Sequence, residues 1–137
     1  MPLPNGRYII RSSDDGNRPI GVDEDRVIAL PEDDSPPEWV LEAVGSKYRI
    51  KTTDDKKVVP SGGKVWVDSE EDAKWILEAA FHHGKNVYIV QAENRYEGWA
   101  APFSENDDKQ VMSRPLIVGP SLPPFYPPFE RFIIERA

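Results

Sequence analysis

A β-trefoil, all-β with twelve short strands in three pseudo-symmetric repeats, is the fold class this sequence predicts, and two recurrences predict it. The segments Trp39-Val40-Leu41-Glu42-Ala43, Trp75-Ile76-Leu77-Glu78-Ala79 and Phe132-Ile133-Ile134-Glu135-Arg136 each read aromatic, two aliphatics, glutamate, then a small or basic residue. Side chains alternate across an extended strand, so each copy turns its ring and one aliphatic to the same face. The second recurrence is Tyr8, Tyr48 and Tyr88, spaced forty residues apart, each inside a short β-rich run. A repeat of about forty residues buries its apolar face only against its neighbours. Four strands per repeat then give a six-stranded barrel capped by three hairpins, with the aromatic-aliphatic faces meeting on its axis.

The elements follow in order. Strands bounded by Gly, Pro, Asp, Asn and Ser clusters are expected over 7–11, 19–22, 26–30 and 38–44 in the first repeat. The second repeats the order at 47–52, 57–60, 64–68 and 74–80, with Gly62-Gly63 supplying the positive φ of a tight hairpin. The third runs 86–91, 98–101, 115–118 and 131–135, with longer loops at 103–113 and 119–128. Glu, Ala and Leu over 70–81 would suit a helix capped by Ser69, but the match between the Trp75 and Trp39 segments assigns a strand. The repeats span approximately 1–45, 46–85 and 86–137 of a single domain 1–137. The expected core is Tyr8, Ile10, Ile28, Leu30, Trp39, Leu41, Ile50, Val65, Trp75, Leu77, Ile89, Leu116, Phe132 and Ile134.

Composition narrows the function. Without cysteine, the 137-residue chain is held by packing and hydrogen bonds alone, which fits a reducing compartment. No signal-peptide pattern opens it and no apolar run could cross a bilayer, so a cytoplasmic location is expected. A net charge of −7 argues against nucleic acid or an anionic membrane as partner. No nucleophile elbow, phosphate-binding loop or paired carboxylates stand out, so an enzyme is not expected, nor a cofactor. His82-His83 lacks a third ligand, and Glu32-Asp33-Asp34 and Asp107-Asp108 lack calcium-loop spacing, so no metal site is assigned.

Near the start, Gly6-Arg7-Tyr8-Ile9-Ile10, Pro19-Ile20-Gly21, Glu24-Asp25 and Arg26-Val27-Ile28-Ala29-Leu30-Pro31 carry a resemblance. Near the end, Arg114-Pro115-Leu116-Ile117-Val118, Pro123-Pro124-Phe125-Tyr126-Pro127-Pro128 and Phe132 carry it further. Together they resemble the small β-trefoil serine protease inhibitors of basidiomycete mushrooms, related to the mycocypin-type fungal inhibitors. The resemblance runs the length of the chain. It implies a cytoplasmic, disulfide-free, monomeric inhibitor of trypsin-like serine proteases, serving defence or the regulation of the organism's own proteases. It also implies that the contact is the loop between the second and third strands, here Asp23, Glu24, Asp25, Arg26 and Val27, several residues shorter than the family's usual version.

A substrate-like inhibitor offers one side chain from a rigid, exposed segment, so that little ordering entropy is lost on binding. Trypsin-like pockets have an aspartate at their base and demand arginine or lysine. Arg26 is the leading candidate; the plainer reading is that it opens the third strand and pairs with a neighbouring carboxylate. Lys56-Lys57 and Arg95-Tyr96 are secondary candidates, each equally readable as a solvated hairpin tip. Two other functions remain open. A carbohydrate-binding trefoil lectin would stack sugar on Trp66, Trp99, Tyr96 or Tyr126, although the threefold Gln-x-Trp pattern is absent. Inhibition of cysteine proteases through apolar loops is the other.

Overall fold

The computed structural model describes residues 3–14, 16–102 and 109–137. Its strands are β1 (Gly6–Ser12), β2 (Ile20–Asp23), β3 (Arg26–Ala29), β4 (Trp39–Val44), β5 (Lys47–Thr52), β6 (Lys57–Ser61), β7 (Lys64–Asp68), β8 (Trp75–Ala79), β9 (Val87–Ala92), β10 (Glu97–Ala100), β11 (Met112–Pro115) and β12 (Phe132–Arg136). Short 3-10 turns cover Phe81–His83 and Pro128–Glu130.

Antiparallel pairing closes six strands into a ring: β1 to β4, β4 to β5, β5 to β8, β8 to β9, β9 to β12, and β12 back to β1. The other six form hairpins β2–β3, β6–β7 and β10–β11, which touch one another through β3–β7 and β7–β11 bridges. This is the β-trefoil. The two recurrences of the sequence meet in the register of the barrel: Tyr8 lies opposite Trp39, Tyr48 opposite Trp75, and Tyr88 opposite Phe132. Each repeat thus sets its tyrosine against the aromatic that opens its own fourth strand. Cross-strand aromatic pairs are the unit that fixes register in such sheets.

The indoles also bind the cap to the barrel. Trp39 Nε1 donates to the Ile20 carbonyl and Trp75 Nε1 to the Val58 carbonyl, both at 2.9 Å, joining β4 to β2 and β8 to β6 in the same way. Phe132 has no N–H for a third such bond. There Trp99 fills the space, edge-on to both Trp75 and Phe132 at centroid distances of 5.8 and 5.5 Å. The main core joins residues of all three repeats, from Tyr8 and Ile10 through Trp39, Ile50 and Trp75 to Phe132 and Ile134.

Some expectations shift. β8 is a strand, as the Trp75 segment requires, and helical character is confined to the 3-10 turn that follows it. The eleventh strand, expected over 115–118, is Met112–Pro115. Its pairing with β10 runs from Met112 opposite Ala100 to Pro115 opposite Glu97, and one further backbone bond, from the Leu116 N–H to the Tyr96 carbonyl at 3.1 Å, closes it where β10 gives way to the β9–β10 turn. Ile117 and Val118 are β-branched but half-exposed beyond that end. Leu30, Leu77 and Leu116, named for the core, are only half-buried, and Ile89 sits in a smaller cluster with Ala80, Val87 and Tyr126. The Leu122–Pro123 peptide is cis. The acidic pair Asp107-Asp108 and the first part of the loop expected over 103–113 lie outside the described residues.

Candidate functional site

The β2–β3 connection is a two-residue turn rather than an open loop. Asp23 lies opposite Arg26, and the two residues between them, Glu24 and Asp25, have φ of 52° and 63°. In the second repeat the equivalent turn joins Ser61 to Lys64 through Gly62 and Gly63, with φ of 61° and 78°. Glycine takes that conformation without steric cost; a side chain does not. The first repeat therefore holds two carboxylates where the fold alone would favour glycine, and local strain of this kind clusters at functional sites.

The turn is tied down from two sides. The Val67 N–H donates to the Asp25 carbonyl at 2.9 Å, and Lys56 Nζ meets Asp25 Oδ1 at 3.0 Å. The charge-assisted contact to Asp25 raises the Lys56 pKa above the ordinary ammonium value. Two regions named from the sequence are thereby one surface: Asp23 to Val27 on the hairpin, and Lys56 on the β5–β6 loop. Lys57 belongs to β6 and lies opposite Asp68.

On that surface Arg26 faces outward, since Val27 behind it is fully buried. Its side chain is 35% exposed and pairs with Asp23 at 3.4 Å. Its main chain is engaged on both edges, opposite Asp23 in β2 and Trp66 in β7. A groove of about 380 Å³ runs beside the turn, walled by Val22, Leu30, Pro37, Thr53, Asp54 and Lys56. The hairpin and the β5–β6 loop thus offer two cations and a fringe of carboxylates, with the recess on the side of Val22 rather than of Arg26.

Arg95 and Tyr96 lie apart, on the β9–β10 loop. Asn94 Oδ1 accepts from the Tyr96 and Glu97 N–H groups at 2.8 and 3.0 Å, holding the loop tightly while Tyr96 stays 65% exposed. The four aromatics weighed for sugar stacking do not form a platform. Trp99 is fully buried, Tyr126 is buried, and Trp66 turns its indole N–H to the Ser61 carbonyl at 2.9 Å.

His82 and His83 have a different task. His82 Nε2 lies 2.7 Å from the Pro124 carbonyl, and the Tyr126 N–H donates to His83 Nε2 at 3.1 Å. Only neutral imidazole can accept that second bond. Burial, and then the nearby Arg131 and His82, hold the His83 pKa below the ordinary imidazole value of about 6.5. A depressed folded-state pKa contributes stability that is present above pH 6.5 or so and is lost as pH falls through the window below it. Glu130 titrates with the opposite sign, because burial raises its pKa. The difference between the native chain and His83→Gln therefore isolates the imidazole. Urea midpoints measured from pH 7.5 to 5.0 are expected to fall more steeply for the native chain; parallel curves would refute the assignment.

A family model described as peptidase inhibitor I66 matches residues 1–136. The chain belongs to the peptidase inhibitor I66 family. A Lentinula edodes relative named serine protease inhibitor is 31% identical over 136 residues, covering 91% of this I66 chain and 92% of the relative. The structure of a proteinase inhibitor from Coprinopsis cinerea superposes with a TM-score of 0.87 at 32% identity, over 99% of this chain and 100% of the other. A designed threefold-symmetric protein, ThreeFoil, shares the fold alone, with a TM-score of 0.73 at 15% identity over 96% of this chain and 99% of its own. The I66 relatives are inhibitors rather than enzymes, and a peptidase is the partner that family membership implies.

Proposed function

We propose that this I66 chain inhibits trypsin-like serine proteases reversibly, with the β2–β3 turn as the contact and Arg26 as the side chain offered to the primary pocket. The observation that carries the reading is an outward arginine on a turn cross-tied to a second cationic loop. The Lentinula edodes relative's name supports the serine class, and the aspartate at the base of trypsin-like pockets supports the demand for a guanidinium. Lys56 supplies a second cation, held at the same turn through Asp25.

The energetics favour transfer of Arg26 from one carboxylate to another. Its pair with Asp23 is exposed and long, and such pairs contribute about 0 to 1 kcal/mol. In the pocket the guanidinium would meet its partner with water excluded, where charge-assisted bidentate bonds are stronger. Little order remains to be imposed, because the Val67 and Lys56 contacts already fix the turn. The engaged main chain sets the manner of binding. Arg26 is presented by its side chain, while its backbone stays in the hairpin and offers the protease no extended scissile segment. Inhibition is thus occlusion without turnover.

Titration of trypsin with the purified protein tests this. Activity should fall to a stoichiometric end point, a complex should elute earlier on size exclusion, and the inhibitor recovered after long incubation should retain its intact mass. Undiminished trypsin activity would overturn the reading, and cleavage between Arg26 and Val27 would overturn the occlusion mechanism. Papain in the same panel separates the cysteine-protease alternative.

A further inference from the structure

We propose that the segment between Gly119 and Phe125 is a second peptidase contact, with Leu122 as a knob for enzymes whose primary pocket is apolar. The proposal rests on membership of an inhibitor family and not on the role given to Arg26. From Pro115 to Phe129 the sequence holds fifteen residues without a charge, in a chain that is 30% charged. Nothing comparable occurs elsewhere in it. A solvated connection has no need of such a run, and neither does a core segment, because Ile117, Val118, Leu122 and Phe125 are half or more exposed.

The segment is clamped at its base and open at its tip. The Gly119 N–H donates to the Phe125 carbonyl at 2.7 Å, closing the five residues between them into a small ring. Within it, Ser121 Oγ donates to the Pro123 carbonyl at 2.9 Å. Below it, His82 and His83 hold Pro124 and Tyr126, the His83 ring meets Phe125 edge-on at 5.3 Å, and the Arg131 guanidinium lies over Phe125 at 5.1 Å. Arg131 Nε also donates to the Tyr126 carbonyl at 2.7 Å, and the Ile117 N–H donates to the buried Glu130 carboxylate at 2.6 Å. On this fixed mount Leu122 is 95% exposed.

A leucine so exposed gains nothing for folding, yet its burial by a partner would be favourable at about 25 cal/mol per Å² with little ordering cost. The chemistry matches an uncharged, apolar primary pocket such as the slot of chymotrypsin-like enzymes. It does not match an aspartate-based one. Pro120, Pro123 and Pro124 stiffen the backbone. Pro123 also makes the bond after Leu122 a tertiary amide, a poor one for an ordinary serine peptidase to open, so the knob can be inserted without being consumed. The segment packs on the β8–β9 connection and shares no wall with the groove lined by Val22 and Lys56.

Chymotrypsin and trypsin titrated in parallel test this, with Leu122→Asp, Leu122→Ala and the native chain. The native protein should inhibit chymotrypsin; Leu122→Ala should weaken this about tenfold and Leu122→Asp about a hundredfold or more, with trypsin titrations superimposable for all three. Because Leu122 touches so little, both variants should keep the native unfolding midpoint. No inhibition of chymotrypsin by the native chain, or equal inhibition by Leu122→Asp, would overturn the proposal. Loss against chymotrypsin on substitution, in a protein that leaves trypsin untouched, would support it while removing the trypsin reading of Arg26.

Discussion

Replacing Trp75 by alanine is expected to lower unfolding stability by about 3 to 5 kcal/mol, the range for emptying a large aromatic site in a packed core. Trp75 is fully buried, pairs with Tyr48 across the barrel and stacks edge-on with Trp99. It also satisfies the Val58 carbonyl of the cap. Trp75→Phe separates the two contributions. It keeps most of the ring but orphans that carbonyl, so a loss of about 1 to 3 kcal/mol is expected, and the third repeat already tolerates phenylalanine at the matching site through Phe132. Urea unfolding followed by far-ultraviolet circular dichroism measures both. A cost below about 1 kcal/mol for Trp75→Ala would mean that the barrel axis is not where the fold is held.

Replacing Arg26 by alanine is expected to weaken trypsin inhibition by about 2 kcal/mol or more, roughly a thirtyfold rise in the inhibition constant, as truncating a central anchor does. The fold should hardly notice. Arg26 leaves behind only Asp23, whose carboxylate is already solvated, so the unfolding midpoint should move little. Lys56→Ala should have a smaller effect on inhibition, because Lys56 acts through Asp25 and at the rim. Unchanged inhibition by Arg26→Ala would transfer the contact to the Arg95-Tyr96 loop or to Lys56.

Threefold symmetry was legible because it is written in large aromatic residues at fixed intervals, and those residues are the ones the barrel buries. Glu70 to Phe81 shows the strength of that signal: local propensity favoured a helix, but the Trp75 segment had to satisfy the same register as Trp39. The edges were less legible. Leu116, Ile117 and Val118 have the composition of a strand, yet β11 ends at Pro115 and the last bond to its partner leaves from Leu116, because β10 itself begins at Glu97. At the site, the basic residues could be named, and so could the pairing of Arg26 with a neighbouring carboxylate, which is Asp23, but not the company of Lys56. That Lys56 reaches across to Asp25, thirty-one positions away in the chain, is a tertiary fact without a local pattern. The clamp of His82 and His83 on the proline-rich segment was hidden for the same reason, while the uncharged run that it holds was visible throughout.

Because β12 lies between β1 and β9 in the ring, the strand synthesised last of the twelve is wedged between the first and the ninth. The barrel therefore cannot be completed until β12 itself is available to pair. Eleven strands must wait with an open seam, and the pairing that seals it joins Tyr8 to Arg136, 128 positions further along. Such long-range closure is slow. Until it occurs, the nascent chain exposes unpaired edges of the kind that chaperones exist to shield.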